Sequence, residues 1–152
     1  MIYMPGASIY KLHSEDYLMF ALCKTKSGFS VACDPFTRIA KDDRGVDVVV
    51  NALKVSLNTD DTKRLPDPQN WKEFEQNFLQ KCGLKTLQPL QKAGTLLVEI
   101  YREDNYLVFL PTKRGEDANF EHKDRAEAVK VLFTASNKEI MQALEETFSK
   151  CE

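Results

Sequence analysis

Apolar residues follow two different spacings along this chain, and the spacings predict strands in some segments and helices in others. The runs YLMFALCKT (Tyr17 to Thr25) and FSVAC (Phe29 to Cys33) are rich in aromatic and apolar residues. Between them, Ser27-Gly28 suits a tight turn. The two runs therefore predict a β-hairpin.

A second β-hairpin is predicted in the segment TLLVEIYREDNYLVFLP. Its β-rich runs, Leu96 to Arg102 and Tyr106 to Leu110, meet at Asp104-Asn105, residues that tolerate the left-handed backbone of a two-residue turn. Because both alternating faces of these runs are apolar, we expect this hairpin to lie centrally in the sheet and to be covered on both sides. A further strand is predicted from Ala128 to Thr134.

Helical spacing appears first in GVDVVVNALKVSLN and last near the C-terminus. The valines of the first segment also suit a strand, but their three- and four-residue spacing favours a helix. Ser136 and Glu139 form a capping pair at the start of the last helix. The inward positions are Val46, Val49, Val50, Leu53 and Leu57 in the first helix and Ile140, Met141, Leu144 and Phe148 in the last.

Between these two lies a third predicted helix, NWKEFEQNFLQKCG, which starts at an Asn70/Glu73 capping pair and stops at Gly83. Trp71 is the single tryptophan of the chain. Tryptophan is enriched at binding hot spots, which makes Trp71 a candidate interface anchor, but its spacing favours a place in the core. The apolar face of this helix comprises Trp71, Phe74, Phe78, Leu79 and Cys82.

Together these elements predict the α+β class, with a mainly antiparallel sheet of β-hairpins packed against about three helices. The length of 152 residues is typical of one domain, so we expect residues 1–152 to form a single domain. Two prolines and several polar residues interrupt the apolar spacing from Asn58 to Gln69. This segment is expected to be an exposed connection inside the domain.

Composition and charge limit the kinds of partner that this protein is expected to bind. Hydrophobic residues make up 43% of the chain and charged residues 29%, which is typical of a globular rather than a disordered protein. The 21 basic and 23 acidic residues give a net charge of -2, which argues against direct nucleic-acid binding. The start MIYMPGASIY lacks the features of a secretory signal, and no apolar run approaches the roughly 20 residues that span a bilayer. We therefore expect a cytoplasmic protein without a membrane partner.

Four cysteines, Cys23, Cys33, Cys82 and Cys151, lie far apart and form no CxxC pair. Reduced thiols are the expectation for such a chain in the cytosol. Cys23 and Cys33 can face each other across the first hairpin, depending on its register. Packing as small hydrophobic residues is nevertheless the favoured interpretation.

The sequence contains no catalytic, cofactor-binding or metal-binding motif. Its two histidines, His13 and His122, lie outside any HExxH or Cys/His cluster, and neither GxSxG nor a glycine-rich phosphate loop occurs. We therefore predict no enzyme and no cofactor. The alternative is a small enzyme with a scattered site, since in NFEHKD a histidine, His122, lies beside Glu121 and Asp124 and could serve as a general base.

Four acidic doublets fall in predicted loops or turns, where they would attract a basic partner if they were gathered on one side. Ordinary turn chemistry is the competing interpretation, because basic residues neighbour most of them. The doublets are Asp42-Asp43, Asp60-Asp61, Glu103-Asp104 and Glu116-Asp117.

The second half of the chain resembles the immunity proteins of bacterial contact-dependent growth inhibition (CDI) systems. The resemblance is carried by NWKEFEQNFLQ, a hairpin ending YLVFLPTKR, the loop NFEH and then VKVLFTASNKEIMQALEETF, with GVDVVVNALKVSLN as the first helix. It covers roughly Gly45 to Phe148, and the stretch before Asp42 has no counterpart in it.

This resemblance implies a protein that binds the C-terminal toxin domain of a large exported effector and blocks its active site. Many such toxins are basic nucleases, so the candidate toxin-binding residues are Asp60, Asp61, Glu116 and Asp117. A monomer is expected before the toxin binds. The competing binding function is a small acidic secretion chaperone, which would normally dimerise.

Overall fold

The computed structural model describes residues 6–57, 62–115 and 119–152. Within them, strands are β1 (Ala7–Lys11), β2 (Tyr17–Thr25), β3 (Ser30–Ile39), β4 (Arg64–Leu65), β5 (Leu96–Glu103), β6 (Tyr106–Arg114), β7 (Phe120–His122) and β8 (Val129–Leu132). Helices are α1 (Val46–Ser56), α2 (Trp71–Cys82), the single-turn α3 (Gln88–Gln91) and α4 (Asn137–Ser149). These elements confirm the predicted α+β class.

The strands form one sheet in the order β3-β2-β1-β5-β6-β7, with β8 also paired to β6 and β4 paired to β2. Neighbours are antiparallel except for β4, which runs parallel to β2. The segment predicted to be a connection thus contributes a short strand, Arg64–Leu65, although its described residues are largely exposed as expected.

The second hairpin lies at the centre of the sheet, as its two apolar faces predict. Ile100 pairs with Phe109 and Tyr101 with Val108, and all four side chains are buried. Asp104 takes up the left-handed conformation that the turn needs, with a φ of 54°. The predicted strand from Ala128 to Thr134 is confirmed only for β8, because a turn follows Leu132.

Strand β1 has no counterpart in the sequence-based prediction, yet it joins the two hairpins. Ala7 pairs with Ala21 of β2 on one side and with Ile100 of β5 on the other. Just before it, the Gly6 backbone carbonyl accepts a hydrogen bond from the amide of Leu22 at 2.8 Å. Strand β1 therefore joins the two hairpins into one sheet.

Helices cover both faces of the sheet. Helices α1 and α4 pack on one face, where Val49, Val50 and Leu53 meet Ile140 and Leu144 in the main core. On the other face, Phe78 and Cys82 of α2 and Leu90 of α3 pack in a smaller cluster with Leu12 and Leu18.

Helix α2 confirms its predicted ends. The side chain of Asn70 accepts a hydrogen bond from the amide of Glu73 at 3.1 Å, and Gly83 adopts a left-handed φ of 71°. The same capping is confirmed in α4, where Ser136 accepts from the amide of Glu139 at 3.2 Å. Val46, predicted to face inward from α1, is partly exposed because it is the first residue of that helix.

The expectation of four reduced thiols was wrong for two of them, because Cys23 and Cys33 form a disulfide bond. On the turn side of a register shift between Phe20 and Ala21, Cys23 pairs with Val31 and Ala21 pairs with Cys33. Cys33 then lies diagonally across from Cys23 on the same face, with a Cα–Cα distance of 6.0 Å that a disulfide can span. Cys82 and Cys151 remain thiols.

Candidate functional site

Two of the four acidic doublets lie within the described residues. Asp42-Asp43 belongs to a 3₁₀ helix, and Glu103-Asp104 leads into the turn of the second hairpin. Glu103 lies 3.7 Å from the guanidinium of Arg125 and 3.9 Å from the ammonium of Lys130, so its charge is partly balanced. The residues predicted to bind a toxin lie outside the described residues: Asp60, Asp61, Glu116 and Asp117.

His122, the candidate general base, forms an ion pair instead of a catalytic cluster with its chain neighbours. Its Nε2 lies 3.1 Å from Oε1 of Glu99, and this hydrogen bond raises the pKa of His122. Asp124 accepts a hydrogen bond from the amide of Ala126 at 2.9 Å as the cap of a 3₁₀ helix. The three neighbours in NFEHKD therefore do not converge on one point, and His122 lines neither of the cavities described below.

The largest of these cavities is a groove of about 580 Å³ between the end of α1 and the side of α2. Its apolar lining combines Val55 from α1, Leu57 directly after that helix, Leu65 from β4 and Phe74 from α2, and the Cys23–Cys33 disulfide also faces it. We call this surface the aromatic groove because Phe74 connects it to two further aromatic residues, Phe29 and Trp71.

These two rings extend the groove onto the exposed surface. Trp71 packs edge-on against Phe74 and against Phe29, with ring centroids 5.7 and 6.2 Å apart. Despite these contacts, Trp71 is 53% exposed and Phe29 is 56% exposed. The prediction that Trp71 lies in the core was therefore wrong, and the alternative of an exposed candidate anchor fits the structure.

Trp71 is exposed because α2 packs on the sheet only further along the helix. Phe78 packs against Phe20 and Phe36 with ring centroids 5.4 and 6.0 Å apart, and Cys82, one turn further, is buried. Trp71 lies two turns before Phe78, at the first position of the helix, and there its neighbour is the exposed ring of Phe29. The apolar face of α2 is thus longer than the surface that covers it.

Polar contacts hold the rim of the groove in place. At the hairpin tip, Asp67 accepts hydrogen bonds from the amide and hydroxyl of Ser27, and these bonds lower the pKa of Asp67. On the opposite rim the Lys81 ammonium lies 3.2 Å from the Asp34 carboxylate. The two contacts join segments that lie 40 and 47 positions apart in the sequence.

A second cavity, of about 410 Å³, lies beside the loop that follows β1. Its basic lining residues are His13, Arg38 and Lys92. The guanidinium of Arg38 is already paired with Asp16 at 3.1 Å. Of these two cavities, the aromatic groove is the one with exposed aromatic side chains beside it, Phe29 and Trp71.

Within residues 6–57, 62–115 and 119–152 we find no cluster of three or more histidine, cysteine, aspartate or glutamate side chains that could hold a metal ion. No helix in the described part of the chain is long and apolar enough to cross a membrane. A sheet covered by helices on both faces and an apolar groove with exposed rings at its edge are typical of a domain that binds another molecule through its surface.

Comparison with known proteins specifies the family. A family model described as CdiI, CDI immunity protein, matches residues 47–151, which is well over half of the chain. The protein therefore belongs to the CDI immunity protein family, as its resemblance predicts. No curated protein matches it in sequence.

Two solved structures share the fold over essentially the whole chain. One is a CdiA-CT/CdiI toxin and immunity complex from Yersinia pseudotuberculosis, with a TM-score of 0.71, 14% identity and 99% of both chains covered. The other is a protein of unknown function, NMB0488, from Neisseria meningitidis, with a TM-score of 0.69, 14% identity and 100% of both chains covered. Both include the N-terminal strands, which the family model does not reach.

Proposed function

We propose that this protein binds the C-terminal toxin domain of a CDI effector in the cytoplasm and neutralises it by covering its active site. The match of the CDI immunity family model to residues 47–151 carries this proposal. The fold shared with a chain of a solved CdiA-CT/CdiI toxin and immunity complex agrees with it. In this role the chain acts as a single domain and a monomer until the toxin binds.

The test is coexpression with the toxin domain of the effector encoded beside this gene. We expect growth to be rescued when both proteins are expressed, and killing to continue with a toxin domain from an unrelated system. If the adjacent toxin still kills while both proteins are well expressed, the proposed function is wrong. Light scattering of the free protein adds a second test, since a stable dimer that binds only unfolded segments would instead identify a chaperone.

We further propose that the toxin is a nuclease and that binding blocks its catalytic site. The purified complex should then cleave no nucleic acid, and inhibition should be complete at one immunity protein per toxin. A complex that protects cells while retaining full nuclease activity in vitro would disprove blocking. A toxin without any nuclease activity would correct the toxin class and leave neutralisation intact.

The acidic residues Asp60, Asp61, Glu116 and Asp117 are the proposed steering residues for a basic toxin. Exposed charges mainly accelerate encounter, so converting all four to Asn or Gln should slow association at low salt and flatten its dependence on salt. The matched control neutralises four exposed acids elsewhere: Asp42, Asp43, Glu145 and Glu146. Equal slowing in the two variants would show that only net charge matters and would remove the proposed role of the four residues.

A further inference from the structure

The exposed apolar side chains of the described residues are unevenly distributed. Eight large ones are exposed, and four of them border the aromatic groove or the rings beside it: Phe29, Val55, Leu65 and Trp71. A monomeric protein rarely leaves such residues together in water without a partner that covers them. Their concentration therefore marks one surface of the molecule for binding.

We propose that the aromatic groove receives an apolar segment of the toxin domain, with Trp71 as the main anchor and a toxin carboxylate beside Lys63. This inference rests on the proposed function, which supplies the toxin as the partner, and it assigns where and through which chemistry the toxin docks. It assigns the anchoring contact to apolar side chains, whereas the proposed role of Asp60, Asp61, Glu116 and Asp117 is steering.

The geometry of the aromatic rings supports an anchoring role. Rings held edge-to-face by Phe74 and Phe29 have a fixed orientation before binding, so little side-chain freedom is lost when a partner covers Trp71. Tryptophan in a well-packed, water-excluded centre is the commonest kind of hot spot. Half of the Trp71 side chain is still available for burial.

The charged residues of the groove lining indicate which polar group of the toxin accompanies the apolar contact. Asp34 and Lys81 pair with each other, which cancels their charges. Lys63 is exposed, and no carboxylate of the described residues lies within ion-pair distance of it. The described lining thus carries one net positive charge on a chain that is acidic overall, which suits an apolar segment flanked by a carboxylate.

The first measurement is the affinity of Trp71→Ala for the purified cognate toxin domain by isothermal titration calorimetry. Truncation of a hot-spot tryptophan should weaken binding on the order of 30-fold or more. Leu132→Ala is the matched control, because Leu132 is a similarly exposed apolar residue on β8, away from the groove, and its truncation should leave affinity unchanged. Unaltered circular dichroism and melting temperature establish that each variant is folded.

A second variant tests the charge without removing any apolar contact. Lys63→Glu should weaken the same complex, whereas Lys85→Glu, a reversal at an exposed lysine outside the groove lining, should change affinity much less. Equal effects of the two reversals would show that the groove has no local carboxylate partner and would overturn that part of the proposal.

The single tryptophan also gives a direct spectroscopic readout. Protein labelled with 5-fluorotryptophan has one ¹⁹F signal, and this signal should move and lose its solvent-isotope shift when unlabelled toxin is added. An unchanged signal in a saturated complex would overturn the proposal while leaving the proposed function standing. A wild-type protein that neither binds nor neutralises the toxin would overturn both, and concentration-dependent shifts without toxin would identify a second copy of this chain as the occupant instead.

Discussion

Reduction of the Cys23–Cys33 disulfide should lower the free energy of unfolding by an amount that depends on the length of the loop that the bond closes. The bond joins residues separated by 10 positions, and the loop-closure entropy of such a link corresponds to roughly 2.7 kcal/mol at 25 °C. For a domain of this size the melting temperature falls by about 2–4 °C for each kcal/mol, which predicts a decrease of roughly 5–11 °C.

The assay compares thermal unfolding of the oxidised protein with that of the protein treated with a reducing agent. Alkylation in denaturant followed by mass spectrometry should label two cysteines before reduction and four after it. Burial raises the pKa of the Cys82 thiol to about 11 and also raises the pKa of Cys151, so these thiols should take little part in disulfide exchange near neutral pH.

A Cys23→Ser/Cys33→Ser double variant separates loss of the bond from other effects of the reducing agent. Its melting temperature should match that of the reduced wild type and should not respond to reduction. If the oxidised and reduced wild-type proteins melt at the same temperature, the loop-entropy reasoning is wrong for this hairpin. Equal melting temperatures would mean that strand pairing and contacts such as Ser27–Asp67 hold the hairpin without help from the disulfide.

Three further predictions concern the sheet, one ion pair and one helix cap. In Gly6→Ala the new Cβ would lie 1.8 Å from the carbonyl oxygen of Ile100, a backbone atom of a central strand, so calorimetry should show a loss of at least about 3 kcal/mol. Because the bond to Glu99 raises the pKa of His122, this pair should stabilise the fold fully below pH about 6.5 and lose that contribution as pH rises through the raised value, which NMR titration of His122 can follow. Asn70→Ala removes the cap of α2 and should cost about 1 kcal/mol in urea denaturation.

Each of these predictions has a matched control. Gly45→Ala, with only a side-chain atom 3.9 Å from the new Cβ, should cost no more than about 1 kcal/mol, the preference for glycine over alanine at the N-cap of α1, and similar losses at both glycines would refute the clash argument. Glu99→Gln should bring the pKa of His122 down, and an equal decrease in Glu121→Gln would mean that the Glu99 bond is not the cause. Asn77→Ala, at an exposed interior position of α2, should cost nothing, because alanine favours helices.

Local chemistry explains which elements could be predicted from the sequence. The turn at Asp104, the cap at Asn70 and the stop at Gly83 all depend on residues within a few positions of each other, and all three are confirmed. Strand β1 has only five residues and acquires its structure by pairing with β2 and β5, the latter nearly ninety positions away. Such pairing leaves little trace in the local pattern.

The disulfide depends on the register of the first hairpin, which the sequence pattern does not specify. The two predicted strands of the first hairpin leave the facing of Cys23 and Cys33 open, because a shift by one position moves a side chain to the other face of a sheet. In the observed register Cys23 pairs with Val31 and Ala21 with Cys33, which puts both cysteines on one face, and no motif in the sequence specifies that register. The geometry of the aromatic groove therefore could not be derived from the hairpin prediction alone.

At Trp71 the helical periodicity of α2 no longer predicts burial. Helical spacing establishes that Trp71, Phe78 and Cys82 share a face, but it cannot establish how far along the helix that face is covered. Here the cover ends near Phe78, so an identical pattern produces a buried cysteine at one end and a half-exposed tryptophan at the other. Residues that break a sequence rule without local compensation are expected at functional sites. We therefore expect the exposed Trp71 beside the aromatic groove to be more informative about binding than the acidic doublets that first suggested a basic partner.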